Sequence, residues 1–529
     1  MTQLFYNGQI LTMDDAAPQG EAVLIRDGKI QAVGSRESVM ALKEEDTQCV
    51  DLQGKTMLPG FIDGHSHFAG FAASLAQCDL SQVTSLAQMV ETLQKFLSEN
   101  RIPEGQWVVG TNYDHNFLEE GRHPDKFLLD QVSTDHPVVV IHASSHMGVT
   151  NSLGLSMEHL TEDTPDPAGG RYGRVGGSRE LDGYMEENAF VAFRNAMPMP
   201  DIQAFMELFR KAQQIYAGYG ITTIQEGMVT KPLMALLDYG AQKRVLYLDL
   251  VGYPDLENCQ ELLQQKERFS YHNHLRLGGC KIFLDGSPQG RTAWMRQPYE
   301  NASDGYRGYP IHTDEDLHRL ILTALENHWQ VLAHCNGDAA AQQYIDVFRQ
   351  VQQEHPQLDA CRPVMIHAQL VGADQLAEMA KIPMSPSFFV AHTYHWGDIH
   401  IANFGMERAS RISPAATAQK LGLPFTFHQD SPVLPPDVLG SIWCTAKRIT
   451  KSGQLLDQQE RVSVYEGLKA ATVYGAWQYG EEDAKGTIQP GKLADLVILD
   501  QNPLTVPLDQ VKSIQVLATF KEGRLVFRR

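Results

Sequence analysis

Residues 58–68 read Leu58-Pro59-Gly60-Phe61-Ile62-Asp63-Gly64-His65-Ser66-His67-Phe68. An apolar run closes on two histidines one residue apart. Along a β-strand, residues i and i+2 share a face, so both imidazoles of a strand-borne His-x-His can hold one metal ion. The pair alone is a weak signal, because surface or core histidines give the same spelling. The surrounding order strengthens it. Buried-looking strands are predicted at 57–64, 221–227, 245–251, 275–284, 330–334, 363–367, 382–387 and 424–428, with amphipathic helices such as 202–216, 313–327 and 339–354 between most of them. Eight such alternations predict an α/β fold of the closed (β/α)8 TIM-barrel type rather than an open doubly wound sheet. No G-x-G-x-x-G follows the first strand, which argues against a dinucleotide site.

The later strand ends carry the chemistry. Strand four holds Lys281 in Cys280-Lys281-Ile282-Phe283-Leu284-Asp285. Strand five ends at His334-Cys335-Asn336-Gly337-Asp338 and strand six at Ile366-His367-Ala368-Gln369. Strand eight ends at His428-Gln429-Asp430-Ser431-Pro432. A barrel gathers the C-terminal ends of its strands at one mouth, where active sites lie. Any one of these residues has an ordinary structural reading. An ordered series of His, His, Lys, His, His and Asp is hard to explain that way.

The chain ends read differently from the middle. Residues 1–57 and 484–529 are short strands broken by turns such as Asp27-Gly28, Pro490-Gly491 and Glu522-Gly523. Chain termini commonly lie close together, so the two segments are expected to pair into one small β domain beside the barrel of 58–483. The stretch between strands one and two is far too long for one helix. Residues 79–200 are read as an insertion with strands at 107–110 and 138–142, and 164–183 as a loop rich in glycine, proline and charge.

Composition excludes several function classes. The 529 residues carry 44 Lys and Arg against 64 Asp and Glu, a formal charge of −20. So acidic a surface repels phosphate backbones, so no nucleic-acid partner is expected. No apolar run is long enough to span a membrane and the start lacks a signal-peptide pattern, so no membrane association is expected. Seven scattered cysteines without a CxxC fit reduced thiols in a cytoplasmic setting. A homodimer is the default oligomeric expectation.

With these residues in view, the sequence resembles the amidohydrolase superfamily, and within it the amidohydrolase-3, YtcJ-like branch that includes N-substituted formamide deformylase. The likeness covers nearly the whole chain. It rests on LPGFIDGHSHF, the KIFLDGS and GRTAWM block, HCNGD, MIHAQL, HQDSPV and the C-terminal GTIQPGKLADLVILDQNP. The resemblance implies that the terminal segments form a small β-sandwich. It also implies that His65 and His67 bind the more buried of two divalent ions, Zn2+ by donor type. Lys281 would be carboxylated by CO2 and bridge the ions, His334 and His367 would bind the second, and Asp430 would bind metal and shuttle the proton. Burial beside cations lowers an amine pKa toward neutrality, which carboxylation requires. Imidazole nitrogens suit Zn2+, and Zn2+ brings the pKa of bound water to about 7.

Local readings stay open. Lys281 is either the carboxylated ligand or an ion-pair partner of Asp285. Asp430 is either the proton shuttle or a turn aspartate before Ser431-Pro432. Gln429 either crowds the site or hydrogen-bonds the substrate, and Cys335 is either a soft neighbour of the metal or packing. Candidate substrate contacts are Tyr113 from the insertion, Arg291 and Trp294 from the long 287–308 loop, and Phe389, His392, Tyr394 and His395 after strand seven. Arg291 fixes a carboxylate or carbonyl, or else pairs with Asp285. The aromatics after strand seven either touch substrate or only pack their loop. His115 and His146 are not assigned as ligands, since the set of six is complete without them.

The function implied is metal-dependent hydrolysis of a C–N bond in a small amide, N-substituted formamide, carbamate or cyclic amide, with Asp430 moving the proton. The same centre acting on an ester or lactone is the alternative. An inactive binding or regulatory relative would have lost ligands, and here all six residue types are present.

Overall fold

A computed structural model describes residues 2–142, 147–167, 169–197, 201–300, 302 and 304–529. The chain divides into two compact units, residues 1–71 with 209–529, and residues 72–208.

In the larger unit, the barrel strands are β1 Phe61–Ile62, β2 Ile221–Val229, β3 Asp249–Pro254 and β4, which comprises Leu275–Leu277 and Gly279–Phe283. They continue as β5 Gln330–Cys335, β6 Val364–His367, β7 Ser385–Phe388 and β8 Thr426–Phe427. All pair in parallel, β1 to β4 in one arc and β4 to β8 in a second. The arcs meet where β4 breaks at Gly278, whose missing side chain leaves room for the Tyr253 hydroxyl. They meet again at Gly64, where a Cβ would stand 2.8 Å from the Phe427 carbonyl oxygen and 2.8 Å from Thr426 Oγ1. Gln478 spans this second junction. Its amide nitrogen donates to the Gly64 carbonyl at 2.8 Å, and its Oε1 accepts from Thr426 Oγ1 at 2.7 Å. The eight strands thus form a TIM-barrel-like ring.

The helices fall where the amphipathic periodicity places them. Asp314–Glu326 and Asp338–Glu354 flank β5. The first is N-capped by Thr313, whose side chain accepts from the Asp316 N–H, and three acidic residues of its first turn complement the helix dipole. Each helix buries an apolar stripe on the barrel, for instance Leu317, Leu320, Ile321 and Ala324.

The two chain ends pair into one eight-stranded sheet. Thr56–Pro59 joins Leu496–Leu499 antiparallel, so N- and C-terminal strands share a ladder. The sheet runs to Pro59, two residues past the expected boundary. Both faces are covered: Leu4, Ala22 and Leu24 pack with Val39 on one, and Phe5, Val23 and Ile25 with Leu496 and Phe520 on the other. Asp27-Gly28 and Glu522-Gly523 are the hairpin turns that the sequence predicts. All four residues have positive φ, the conformation that matches the twist of the flanking strands.

Residues 72–208 carry a six-stranded sheet in the order Gly170–Arg174, Leu181–Glu187, Met147–Thr150, Val138–His142, Val108–Tyr113, Gln77–Asp79. The 164–183 stretch is not simply a loop. Gly170–Arg174 pairs antiparallel with Leu181–Glu187, because the hydrogen-bonded ladder and the burial of Tyr172, Leu181 and Met185 outweigh the low strand propensity of glycine. Ser144, Ser145 and His146 lie outside the described residues.

Candidate active site

The His-x-His pair does not lie on regular strand. The β1 ladder ends at Ile62, and a bend follows before the helix at Phe68. The bend is fixed by Asp63, whose carboxylate accepts from the His65 N–H at 3.3 Å and from the Ser66 hydroxyl. His65 is buried, and its Nδ1 faces Gln225 Oε1 at 2.5 Å. The Gln225 amide nitrogen donates to Gly64 O and to the Tyr479 hydroxyl, so its oxygen is the acceptor toward His65. His65 therefore carries its proton on Nδ1 and turns a lone pair inward on Nε2. That Nε2 lies 3.5 Å from Asp430 Oδ1 and 3.3 Å from Lys281 Nζ.

His67 Nε2 also lies 3.5 Å from Asp430 Oδ1, and its Nδ1 lies 3.7 Å from Glu226 Oε1. Glu226 is buried, with its other oxygen accepting from the Ala69 N–H at 2.7 Å. Burial works against protonation of His67, but the Glu226 and Asp430 carboxylates prevail and raise its pKa above the ordinary value. On the far side, His334 Nδ1 faces His367 Nε2 at 3.0 Å. His334 Nε2 lies 3.3 Å from the Gly286 carbonyl and 3.1 Å from the Asn336 amide nitrogen, so its Nδ1 is the ring nitrogen turned toward His367. His65, His334, His367 and the neighbouring His428 are held neutral by burial, with the Lys281 charge acting in the same direction. Neutral imidazole is the ligand form.

Lys281 lies mid-strand in β4 and is 1% exposed. Burial brings its pKa down to about 7, with Asp430 opposing. Asp285 is not its partner. The Asp285 carboxylate accepts instead from the backbone N–H groups of Trp294 at 2.9 Å, Asn336 at 2.9 Å and Gly337 at 2.7 Å, and so ties the end of β4 to the end of β5.

Asp430 and His367 share a backbone feature: φ is +53° at Asp430 and +73° at His367, with Ala368 at +45°. Left-handed backbone in non-glycine residues costs about 1–3 kcal/mol and persists where the surroundings overdetermine it. Here it turns two strand ends inward. Asp430 Oδ1 is buried and accepts no hydrogen bond. An orphaned carboxylate oxygen between two imidazole nitrogens, with the three donor atoms within 4.8 Å of one another, fits a divalent cation.

The substrate-contact candidates separate. Phe389 is buried with its ring 5.1 Å from His428 and 6.4 Å from His367, so it walls the histidine cluster. His392 packs between Phe389 and Trp396, and its Nδ1 is engaged by His400 Nε2 at 2.9 Å. His395 is exposed against Tyr394 and Trp396, and Tyr394 stacks edge-on against Trp443. Arg291 does not pair with Asp285. It lies over the Tyr299 ring at 5.2 Å and donates to the Glu300 carbonyl. Trp294 meets Asp285 through its backbone. Tyr113 is buried in the core of residues 72–208, with its hydroxyl on His123 Nδ1 at 3.0 Å. Gln429 is turned away onto Ser441 Oγ at 2.8 Å and the Asp437 carbonyl, and Cys335 is fully buried packing.

Sequence reading missed His428, Glu226, Gln225 and Asp63. His428 was legible beside Asp430. The other three brace His65 and His67 from the bend after β1 and from β2, and no local spacing marks them.

A family model described as "Amidohydrolase family" matches residues 48–527. YtcJ of Bacillus subtilis is 27% identical over 100% of both chains. N-substituted formamide deformylase of Arthrobacter pascens is 26% identical over 100% of this chain and 99% of its own. An uncharacterized metal-dependent hydrolase from Pyrococcus furiosus superposes with a TM-score of 0.77 at 24% identity, covering 96% of this chain and 100% of that one, which supports the barrel fold. With a family match over nearly the whole length and a histidine–carboxylate cluster at the barrel mouth, the chain belongs to the amidohydrolase family, hydrolases of carbon–nitrogen bonds.

Proposed function

We propose that this protein hydrolyses the C–N bond of a small amide of the N-substituted formamide class, with two divalent ions. His65, His67 and Asp430 would hold one, His334 and His367 the other, and a carboxylated Lys281 would join them. The observation that carries this reading is the orphaned Asp430 Oδ1, 3.5 Å from His65 Nε2 and from His67 Nε2. When bound, Zn2+ ions polarise a carbonyl and lower the pKa of water to about 7.

The chain's own residues supply the rest. Burial raises the Asp430 pKa, with His67 and Lys281 in part opposing, so the carboxylate holds a proton more readily than an exposed one. Asp430 takes a proton from water as the water oxygen bonds to the carbonyl carbon, and gives it to the nitrogen as the C–N bond breaks. Phe389 presents an apolar wall beside His367 and His428. A Lys281 pKa of about 7 leaves much of the amine neutral at physiological pH, the form that adds CO2.

The seven cysteines are free thiols, consistent with a cytoplasmic setting, and no described helix is long and apolar enough to cross a membrane. A small-molecule substrate and a homodimeric state complete the proposal. The test is a panel of N-formyl, N-acyl and ester substrates against native and chelator-stripped enzyme. Metal-dependent release of amine from N-formyl or N-acyl substrates supports the proposal. Turnover confined to esters, or undiminished by metal removal, overturns it.

A further inference from the structure

Within residues 72–208, a second cluster of metal-ligating side chains is formed by residues outside the six named above. Val108–Tyr113 and Val138–His142 are neighbouring parallel strands, and Tyr113 is the register partner of His142. Asp114 and His115 follow the end of the first strand directly, and His142 ends the second. Three side chains therefore meet at the C-terminal edge of parallel strands, where open α/β sheets place their ligands. His142 Nε2 lies 3.2 Å from His115 Nδ1 and 3.4 Å from Asp114 Oδ1, and His115 Nδ1 lies 3.8 Å from the same oxygen. A triangle with those edges has a circumscribed radius of about 2.0 Å, the length of a Zn–N or Zn–O bond. An ion at its centre would lie at bonding distance from all three atoms.

The surroundings favour ligation. The His123 ring stacks on His115 with centroids 4.0 Å apart, and its Nδ1 is tied to the Tyr113 hydroxyl at 3.0 Å, so the imidazole facing the cluster is braced. Asp114 and His115 are only half-buried, which leaves an entry path.

The geometry points to a further divalent transition-metal site formed by Asp114, His115 and His142, of the Zn2+-binding class. It adds His115 to the ligand residues, which sequence reading had left out because the barrel set was complete.

The test is Zn2+ content of the full-length protein by plasma mass spectrometry after equilibrium dialysis at micromolar Zn2+, for wild type, Asp114→Asn and His115→Asn. Both variants change half-buried side chains, and circular dichroism checks their fold. The wild type is expected to hold one equivalent more than either variant, with site affinity at least tenfold weaker in both. The difference is read whether or not the barrel is loaded, so failure of the barrel proposal leaves it intact. Equal Zn2+ content in wild type and a folded variant overturns the site. A second measurement needs no variant. Zn2+ should protect His115 from diethyl pyrocarbonate in the wild-type protein, and full modification of His115 at saturating Zn2+ overturns the site.

Discussion

Lys281 Nζ lies 3.3 Å from His65 Nε2, inside a barrel wall that leaves it 1% exposed. Among the described residues, the carboxylate that acts on it is Asp430, and this does not offset the cost of burial. An amine so placed is poorly suited to remain a permanent cation.

That burial has a measurable consequence for the metal-free protein. The Lys281 pKa falls from its ordinary 10.5 to about 7 on folding. Between those values the unfolded chain binds the extra proton, so stability rises with pH across that window by up to about 1.4 kcal/mol per unit. Below pH 7 both states are protonated and the dependence vanishes. In chelator-treated protein, wild type should gain stability relative to Lys281→Met between pH 7 and 9 by urea titration. Parallel pH profiles for the two proteins would show that Lys281 is solvated or paired.

Asp430→Asn should lower turnover by about 10^2–10^4-fold, the range for loss of a general acid–base group. The fold should be spared, because asparagine tolerates the left-handed backbone at φ +53°. Asp430→Ala should add a loss of about 1 kcal/mol from backbone strain. Steady-state kinetics and Tm separate the two effects.

Glu226→Gln removes the carboxylate beside His67 Nδ1 but keeps an acceptor for the Ala69 N–H. Metal affinity should fall by about 10–100-fold, as for other carboxylates that orient a ligating histidine. Competition with a chromophoric chelator measures it. Unchanged affinity would mean that the 3.7 Å contact orients nothing.

Gly64→Ala should destabilise the protein by about 1–3 kcal/mol, because the new Cβ falls 2.8 Å from a backbone oxygen of β8 and cannot be relieved by side-chain rotation. Denaturant unfolding reads the effect. A neutral outcome would show that the β1–β8 junction is looser than the hydrogen bonds through Gln478 indicate.

The periodic parts of the fold were legible because burial on one face imposes a pattern. Helix 313–327 was expected and Asp314–Glu326 is found, with Thr313 and Asn327 as its caps. The third barrel strand was placed at 245–251 but lies at Asp249–Pro254, since Val245 and Leu246 are equally apolar and periodicity cannot locate where a buried strand starts. The hairpin at 170–187 was missed because glycine-rich sequence pairs here only through partners far along the chain.

By itself the sequence singled out His65, His67, Lys281, His334, His367 and Asp430 as candidates, through their order along the predicted barrel strands and the likeness to the amidohydrolase family. Only the tertiary structure decided which ring nitrogen faces inward and which groups brace it. Gln225 and Glu226 do that work for His65 and His67 from a neighbouring strand, and a contact between such distant residues leaves no mark in local sequence. It likewise placed His142 beside Asp114 and His115, because register between parallel strands is set by the whole sheet and not by either strand alone.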